Sequence, residues 1–218
     1  MRKNFILIVS LVLFSFLSKS QNAPAINWQR CLGGSGGEIA YSIQQTIEGG
    51  YVVVGVSDSN DGDLQANQGS HNGDYWIVKL DGNGNIQWQK TFGGSDSDYA
   101  TSVKQTSDGG YMIAGNSLSN NGDVSGNHSS FDYCVIKLDN TGSLQWQKTL
   151  GGSGDDYANS VDQSVDGGFV VCGYTSSNDG DVSGNHGSED YWVVKLTSLG
   201  NIQWQKCLGG MDYDNAFD

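Results

Sequence analysis

Short apolar runs alternate with Gly-, Asn- and Asp-rich stretches along most of the chain. Tyr51-Val52-Val53-Val54 and Tyr75-Trp76-Ile77-Val78 are apolar at consecutive positions, so both faces of such strands carry apolar side chains. A sheet with one wet face would alternate instead, so both faces here must be covered. Four strands are predicted in the first stretch: Ala40 to Thr46, Tyr51 to Ser57, Tyr75 to Leu80 and Ile86 to Lys90. Glu48-Gly49-Gly50 joins the first pair and Asp81-Gly82-Asn83-Gly84-Asn85 the last, with glycines to supply positive φ.

The same pattern returns twice more. Trp-Gln recurs at Trp28, Trp88, Trp146 and Trp204, spaced 60, 58 and 58 residues apart. Gly-Gly-aromatic recurs at Tyr51, Tyr111 and Phe169, Gly-Asp at Asp63, Asp123 and Asp181, and Asp-Tyr at Asp74, Asp132 and Asp190. Sheets stacked on copies of themselves cover both faces, as the blades of a β-propeller do. The expected fold is all-β: a partial, open β-propeller of three four-stranded antiparallel blades plus flanking strands. Three units also give the twelve strands of a β-trefoil. The ends argue against that, because Ile26 to Arg30 is a fourth-type strand ahead of the first unit. Ile202 to Lys206 completes the third unit, and Gly209-Gly210 with an acidic stretch resembles the start of another. The repeat region spans 26–218, in units of about 26–85, 86–143 and 144–201 and a partial unit at 202–218. Three blades and a stub read as a fragment of a longer array.

These units, Ile-Gln-Trp-Gln-Lys, Gly-Gly-Ser, Asp-Gly-Gly-Phe, Asp-Gly-Asp-Val-Ser-Gly-Asn-His and Asp-Tyr-Trp-Val-Val-Lys-Leu, are most complete from Leu144 to Lys206. They resemble the propeller-like repeats of large secreted Bacteroidota proteins, many of which end in a type IX secretion sorting domain. The resemblance implies an exported or cell-surface protein and brings no catalytic residues with it.

The first twenty residues have a different character. Arg2 and Lys3 precede an apolar run from Phe5 to Leu17, and Ser18-Lys19-Ser20 offers small residues at the positions a signal peptidase reads. Residues 1–20 are expected to be a cleaved signal, with 21–25 a short mature N-terminal segment and export to the medium or the outer cell surface. The run is too short to span a bilayer comfortably, and no transmembrane segment is expected in the mature chain. Net charge is −13, and cleavage leaves 8 Lys and Arg against 24 Asp and Glu, or −16. Such a chain repels phosphate backbones, which excludes nucleic acid as a partner. Of the four cysteines, Cys172 stands where other units have Val54 and Ala114, and Cys134 where they have Trp76 and Trp192. Both are expected to pack as apolar side chains rather than to form a disulfide framework.

Antiparallel blades put the tight turns on one side and the long second-to-third loops on the other. The long-loop side holds 18 of the 24 acids, and long connections commonly carry function. The candidate binding residues are Asp61, Asp63, Asp74, Asp123, Asp132, Asp179, Asp181 and Asp190, with carbohydrate or a surface protein as ligand. Asp61, Asp63, Asp123 and Asp181 are also the candidate calcium ligands, since hard calcium takes six to eight oxygens from such loops. The pattern departs from an EF-hand, because Leu118 and Ser176 replace Asp58 and no downstream Glu recurs. The plainer alternative is that these are Asn/Asp-Gly turns with Asp bonding backbone amides. His71, His128 and His186 recur in the same loops without cysteine partners, a poor zinc set. Gly33-Gly34-Ser35-Gly36-Gly37 matches a hydrolase elbow but does not recur and lacks its strand-to-helix context. No catalytic residue is assigned. The expected function is a non-enzymatic binding or structural module. A glycoside-hydrolase-like enzyme using long-loop acids is the alternative, although hydrolysis needs one unique carboxylate pair and these acids come in copies.

Overall fold

The computed structural model describes residues 25–64 and 72–214. The first sheet contains β1 (Glu38–Gln45), β2 (Tyr51–Ser57), β3 (Asp74–Leu80) and β4 (Ile86–Phe92). The second contains β5 (Asp98–Gln105), β6 (Tyr111–Ser117), β7 (Asp132–Leu138) and β8 (Leu144–Leu150). The third contains β9 (Asp156–Gln163), β10 (Phe169–Thr175), β11 (Asp190–Leu196) and β12 (Ile202–Leu208). Within each sheet the strands pair antiparallel in chain order. The described residues include no helix long and apolar enough to cross a membrane. Residues 1–20, expected to be a signal, and residues 215–218 lie outside the described residues.

The three predicted blades are therefore present and unclosed. First strands begin two residues earlier than expected, and a bulge at Ala40/Ser42 sets the pairing with β2. The fourth strands β4 and β8 run on to a buried apolar residue, Phe92 and Leu150, while β12 ends on the exposed Leu208. β1, β5 and β9 lie against one another along the inner edge, which leaves β4, β8 and β12 outermost.

The doubly apolar strands are explained by two interfaces per blade. In β3, Tyr75 and Ile77 face the second blade, while Trp76, Val78 and Leu80 face the other way. In β7, Cys134, Ile136 and Leu138 meet the first blade, while Tyr133 and Val135 meet the third. Each such side chain contributes roughly 1.5–3 kcal/mol through burial. Two buried phenols register the stack. Tyr75 donates to the Cys134 carbonyl at 2.9 Å, and Tyr133 donates to the Trp192 carbonyl at 3.0 Å. Burial holds both far above the usual tyrosine range. They lie over Gly115 and Gly173, where a Cβ would strike both the phenol oxygen and the backbone of the first strand.

Ile26 to Arg30 differs from expectation, for it forms no strand. It still lies where a preceding blade's fourth strand would lie. Trp28 meets Tyr51 edge-on with ring centres 5.7 Å apart, as Trp88 meets Tyr111 at 5.6 Å and Trp146 lies tilted against Phe169 at 5.9 Å. Its indole donates to the Gly82 carbonyl, and Arg30 donates to Asn85. The side-chain packing of a fourth strand is present without its ladder. β4 is a strand because β3 pairs with it, and among the described residues no third strand lies beside Ile26 to Arg30.

Candidate functional site

The long-loop acids are tied into one repeated network with the Gly-Gly linkers that lead into each blade. Asp61, Asn121 and Asp179 each use Oδ1 to accept a linker amide, from Ser35, Ser95 and Ser153, at 2.7, 2.8 and 2.7 Å. Ser59, Ser119 and Ser177 accept the amides of Gly36, Asp96 and Gly154. Asp63 and Asp181 accept those of Gly33 and Gly151 through Oδ2, at 3.0 and 3.4 Å. The backbone amides of Asp63, Asp123 and Asp181 return bonds to the Gly33, Gly93 and Gly151 carbonyls. Loop and linker are thus zipped together from both sides. Asn121 makes the Ser95 bond without charge, so that position needs only an oxygen acceptor.

A second tier of carboxylates is buried. Asp98 and Asp156 open β5 and β9, and each accepts a linker amide, from Gly94 and Gly152, at 2.8 Å. Ser119 and Ser177 donate to the same Oδ2 atoms. Burial raises Asp98 above the usual carboxylate range and Asp156 to about 6, and the hydrogen bonds only partly offset it. Asp74, Asp132 and Asp190 open the third strands and are fully buried. Asp132 and Asp190 each take the backbone amide and Nδ1 of a loop histidine, His128 or His186, four residues earlier. The repeated histidine is therefore a loop clamp. His71 lies outside the described residues.

The candidate residues are accordingly spread over three separate blades. Backbone amides take one oxygen each of Asp61, Asp63, Asp132, Asp179, Asp181 and Asp190, while the buried Oδ1 atoms of Asp132 and Asp190 have no hydrogen-bond partner among the described residues. Among the described residues, no group of three His, Cys, Asp or Glu side chains converges in a way that could hold a metal ion. All four cysteines are free thiols; Cys134 is buried as its repeat position implies, Cys172 is only half-buried, and Cys207 is buried as well. Burial pushes Cys134 up to about 12 and Cys207 to about 11. Gly33 to Gly37 is linker, and it leads into β1 rather than into a helix.

The tight-turn side carries an ion pair in every blade that sequence reading passed over. Lys79, Lys137 and Lys195 are buried, and each reaches a turn carboxylate, Glu48 at 3.0 Å, Asp108 at 2.9 Å and Asp166 at 2.9 Å. Although burial opposes it, hydrogen bonds and the ammonium hold Glu48 and Asp108 down near 2. The signal was available in the repeated Val/Ile-Lys-Leu ending of each third strand.

One cleft stands apart from this repeated machinery. It lies along the inner strands and has a volume of about 340 Å³. Tyr41, Tyr99 and Tyr157 come from the inner strands, Asn116 and Tyr174 from β6 and β10, and Thr101 and Asn159 complete the lining. Aromatic rings run through it: Tyr41 to Tyr99 at 6.3 Å, Tyr99 to Phe131 at 5.6 Å, Phe131 to Tyr157 at 5.1 Å, and Tyr157 stacked on Tyr174 at 5.1 Å. Burial raises Tyr157 to about 12, and the carboxylates of Asp155 and Glu189 push Tyr157 and Tyr174 the same way. Asp155 is fixed by hydrogen bonds from Ser130 Oγ and the Phe131 amide. The lining includes no basic residue. Equivalent positions differ between units here: Ile39/Tyr99/Tyr157, Tyr41/Thr101/Asn159 and Val56/Asn116/Tyr174.

No protein-family model matches the chain, and no curated protein does. Among solved structures it is similar to the crystal structure of a protein of unknown function from Bacteroides caccae, at 14% identity. That match covers 82% of this chain and 86% of the other, with a TM-score of 0.25, too low to carry an argument.

Proposed function

We propose that this is an exported, non-enzymatic β-propeller-like module that binds carbohydrate or a surface protein through the side bearing its long loops and inner-strand cleft. The observation that carries the reading is the division of labour between repeated and unrepeated residues. Three units under the same structural demands keep the acids and glycines that zip loop to linker. They diverge at Val56/Asn116/Tyr174 and Tyr41/Thr101/Asn159, and there Asn116, Tyr174 and Tyr41 meet Tyr99 and Tyr157, a tyrosine that the second and third units share. Side chains released from the repeat and gathered in one aromatic cleft are what a ligand site needs. Of the long-loop acids that a glycosidase would use, Asp61, Asp63, Asp132, Asp179, Asp181 and Asp190 each accept a backbone amide.

Export follows from the basic, apolar and small-residue order of residues 1–20, and the secreted-repeat resemblance supports it. N-terminal sequencing of protein recovered outside the cell should begin at Gln21. For the module itself, a polysaccharide hydrolase panel should show no turnover, and a glycan and surface-protein array should show binding. Turnover that disappears in the Asp181→Asn, Asp190→Asn double variant would replace this reading with an enzymatic one.

A further inference from the structure

The cleft combines three features that together select one ligand chemistry. Its walls are aromatic, with Tyr99, Tyr157 and Tyr174 in a continuous run of rings. Aromatic faces are electron-rich and attract a cation held within about 6 Å of the ring centre. Two carboxylates flank the Tyr157 and Tyr174 end: Asp155 accepts the amide of Phe131, whose ring lies 5.1 Å from that of Tyr157, and Glu189 is two residues from Tyr191, the β-ladder partner of Tyr174. No Lys, Arg or His lines the cleft, and the chain as a whole carries −13. The resulting field concentrates cations at the surface and repels phosphates, sulfates and uronates. A bare divalent ion prefers six or more oxygens and gains little from ring faces. A neutral sugar could stack on the rings and donate its hydroxyls to the carboxylates, but the negative field of the site would not draw it in as it draws a cation.

We propose that the inner-strand cleft binds an organic cation, an alkylated ammonium or a guanidinium, against the rings of Tyr41, Tyr99, Tyr157 and Tyr174 that line it, with Asp155 and Glu189 as counter-charges. The inference rests on reading the protein as a binding module and names what that module takes. The same head group could arrive as a free small molecule or as a lysine or arginine side chain of a partner protein. At about 340 Å³ the cleft is at the small end of ligand sites, roughly 300–1,000 Å³, which suits a single head group.

The test is calorimetric titration of the mature chain with choline, with its uncharged isostere 3,3-dimethylbutan-1-ol, with lysine- and arginine-bearing peptides, and with neutral oligosaccharides. Choline should bind at least about tenfold more tightly than the isostere, and added salt should weaken it. Tyr41→Leu changes a half-exposed ring and should leave the fold intact while weakening choline several-fold, and Asp155→Asn should do the same. Peptide affinity well above that of choline would assign the head group to a partner protein, and the reverse order would assign it to a free ligand. Equal binding of choline and the isostere would overturn the proposal, as would choline binding indifferent to both variants. Neutral oligosaccharides or surface proteins bound in place of any cation would overturn it and leave the binding-module reading standing. Binding of nothing in the whole set would remove both.

Discussion

At the scale of single residues, identity is set by what lies directly overhead. Gly115 is required because the Tyr75 hydroxyl and the Tyr99 carbonyl occupy the space a Cβ would fill. Neither can withdraw cheaply, since the first is bonded to Cys134 and the second belongs to β5. Gly115→Ala should therefore lower the free energy of unfolding by about 1–3 kcal/mol, read from the urea midpoint. Tyr133→Phe removes the bond to the Trp192 carbonyl but keeps the ring, and should cost about 1 kcal/mol. If Tyr133→Phe cost nothing, the phenol would be a packing element and not the register pin described above. At this scale the sequence was least legible. The Asp spacing showed that the acids repeat, but it did not show that their oxygens face linker amides. That pairing joins residues about 26 positions apart and follows from the antiparallel pairing of first and second strands within each blade.

Elements were more legible, because a strand apolar on both faces can only be interior to a stack. The fourth strands show where that logic stops. Ile26 to Arg30 has the same pattern as Ile86 to Lys90, yet only the latter forms a ladder, since pairing depends on a neighbour that sequence pattern does not reveal. The packing of Trp28 on Tyr51 is nevertheless retained. Trp28→Ala should lower stability by about 1–2 kcal/mol through lost burial. Trp146→Ala should cost more, about 2–3 kcal/mol, because Trp146 sits on a paired strand and packs against the core of the second and third blades. Equal costs, measured by urea unfolding of both variants, would show that the ladder adds nothing to the anchoring of these indoles.

Across the whole molecule, two sets of acids pull the pH dependence in opposite directions. Asp98, Asp132 and Asp156 are raised by burial, Asp156 to about 6, so the folded protein holds their protons more tightly than the unfolded chain does. Their effect makes stability rise as pH falls from about 7 toward 4, by up to about 1.4 kcal/mol per pH unit for each group while it titrates. Glu48 and Asp108 are lowered to about 2 by their turn bonds and buried lysines, so the stability they add is present above about pH 4 and is lost as pH falls toward 2. Urea unfolding across this range should therefore show maximal stability near pH 4–5 and a weaker fold at pH 7. A maximum at neutral pH would mean that the buried carboxylates are not raised. The inner-strand cleft was the feature the sequence hid most completely. Two of its three repeat positions differ in every unit and the third is Tyr only in the second and third, so a search for repetition passes over most of it, and the residues meet only because inner strands converge. The central claim is that the repeated acids hold loop to linker and the ligand lies elsewhere. It is tested most directly by thermal melting and ligand titration of the Asp61→Asn, Asp179→Asn double variant, with and without millimolar calcium. Asn121 already makes this bond without charge, so the account predicts an unchanged melting temperature, no response to calcium in the variant or the wild type, and unaltered binding. A melting temperature that calcium raises in the wild type alone, or binding lost with the two charges, would contradict it.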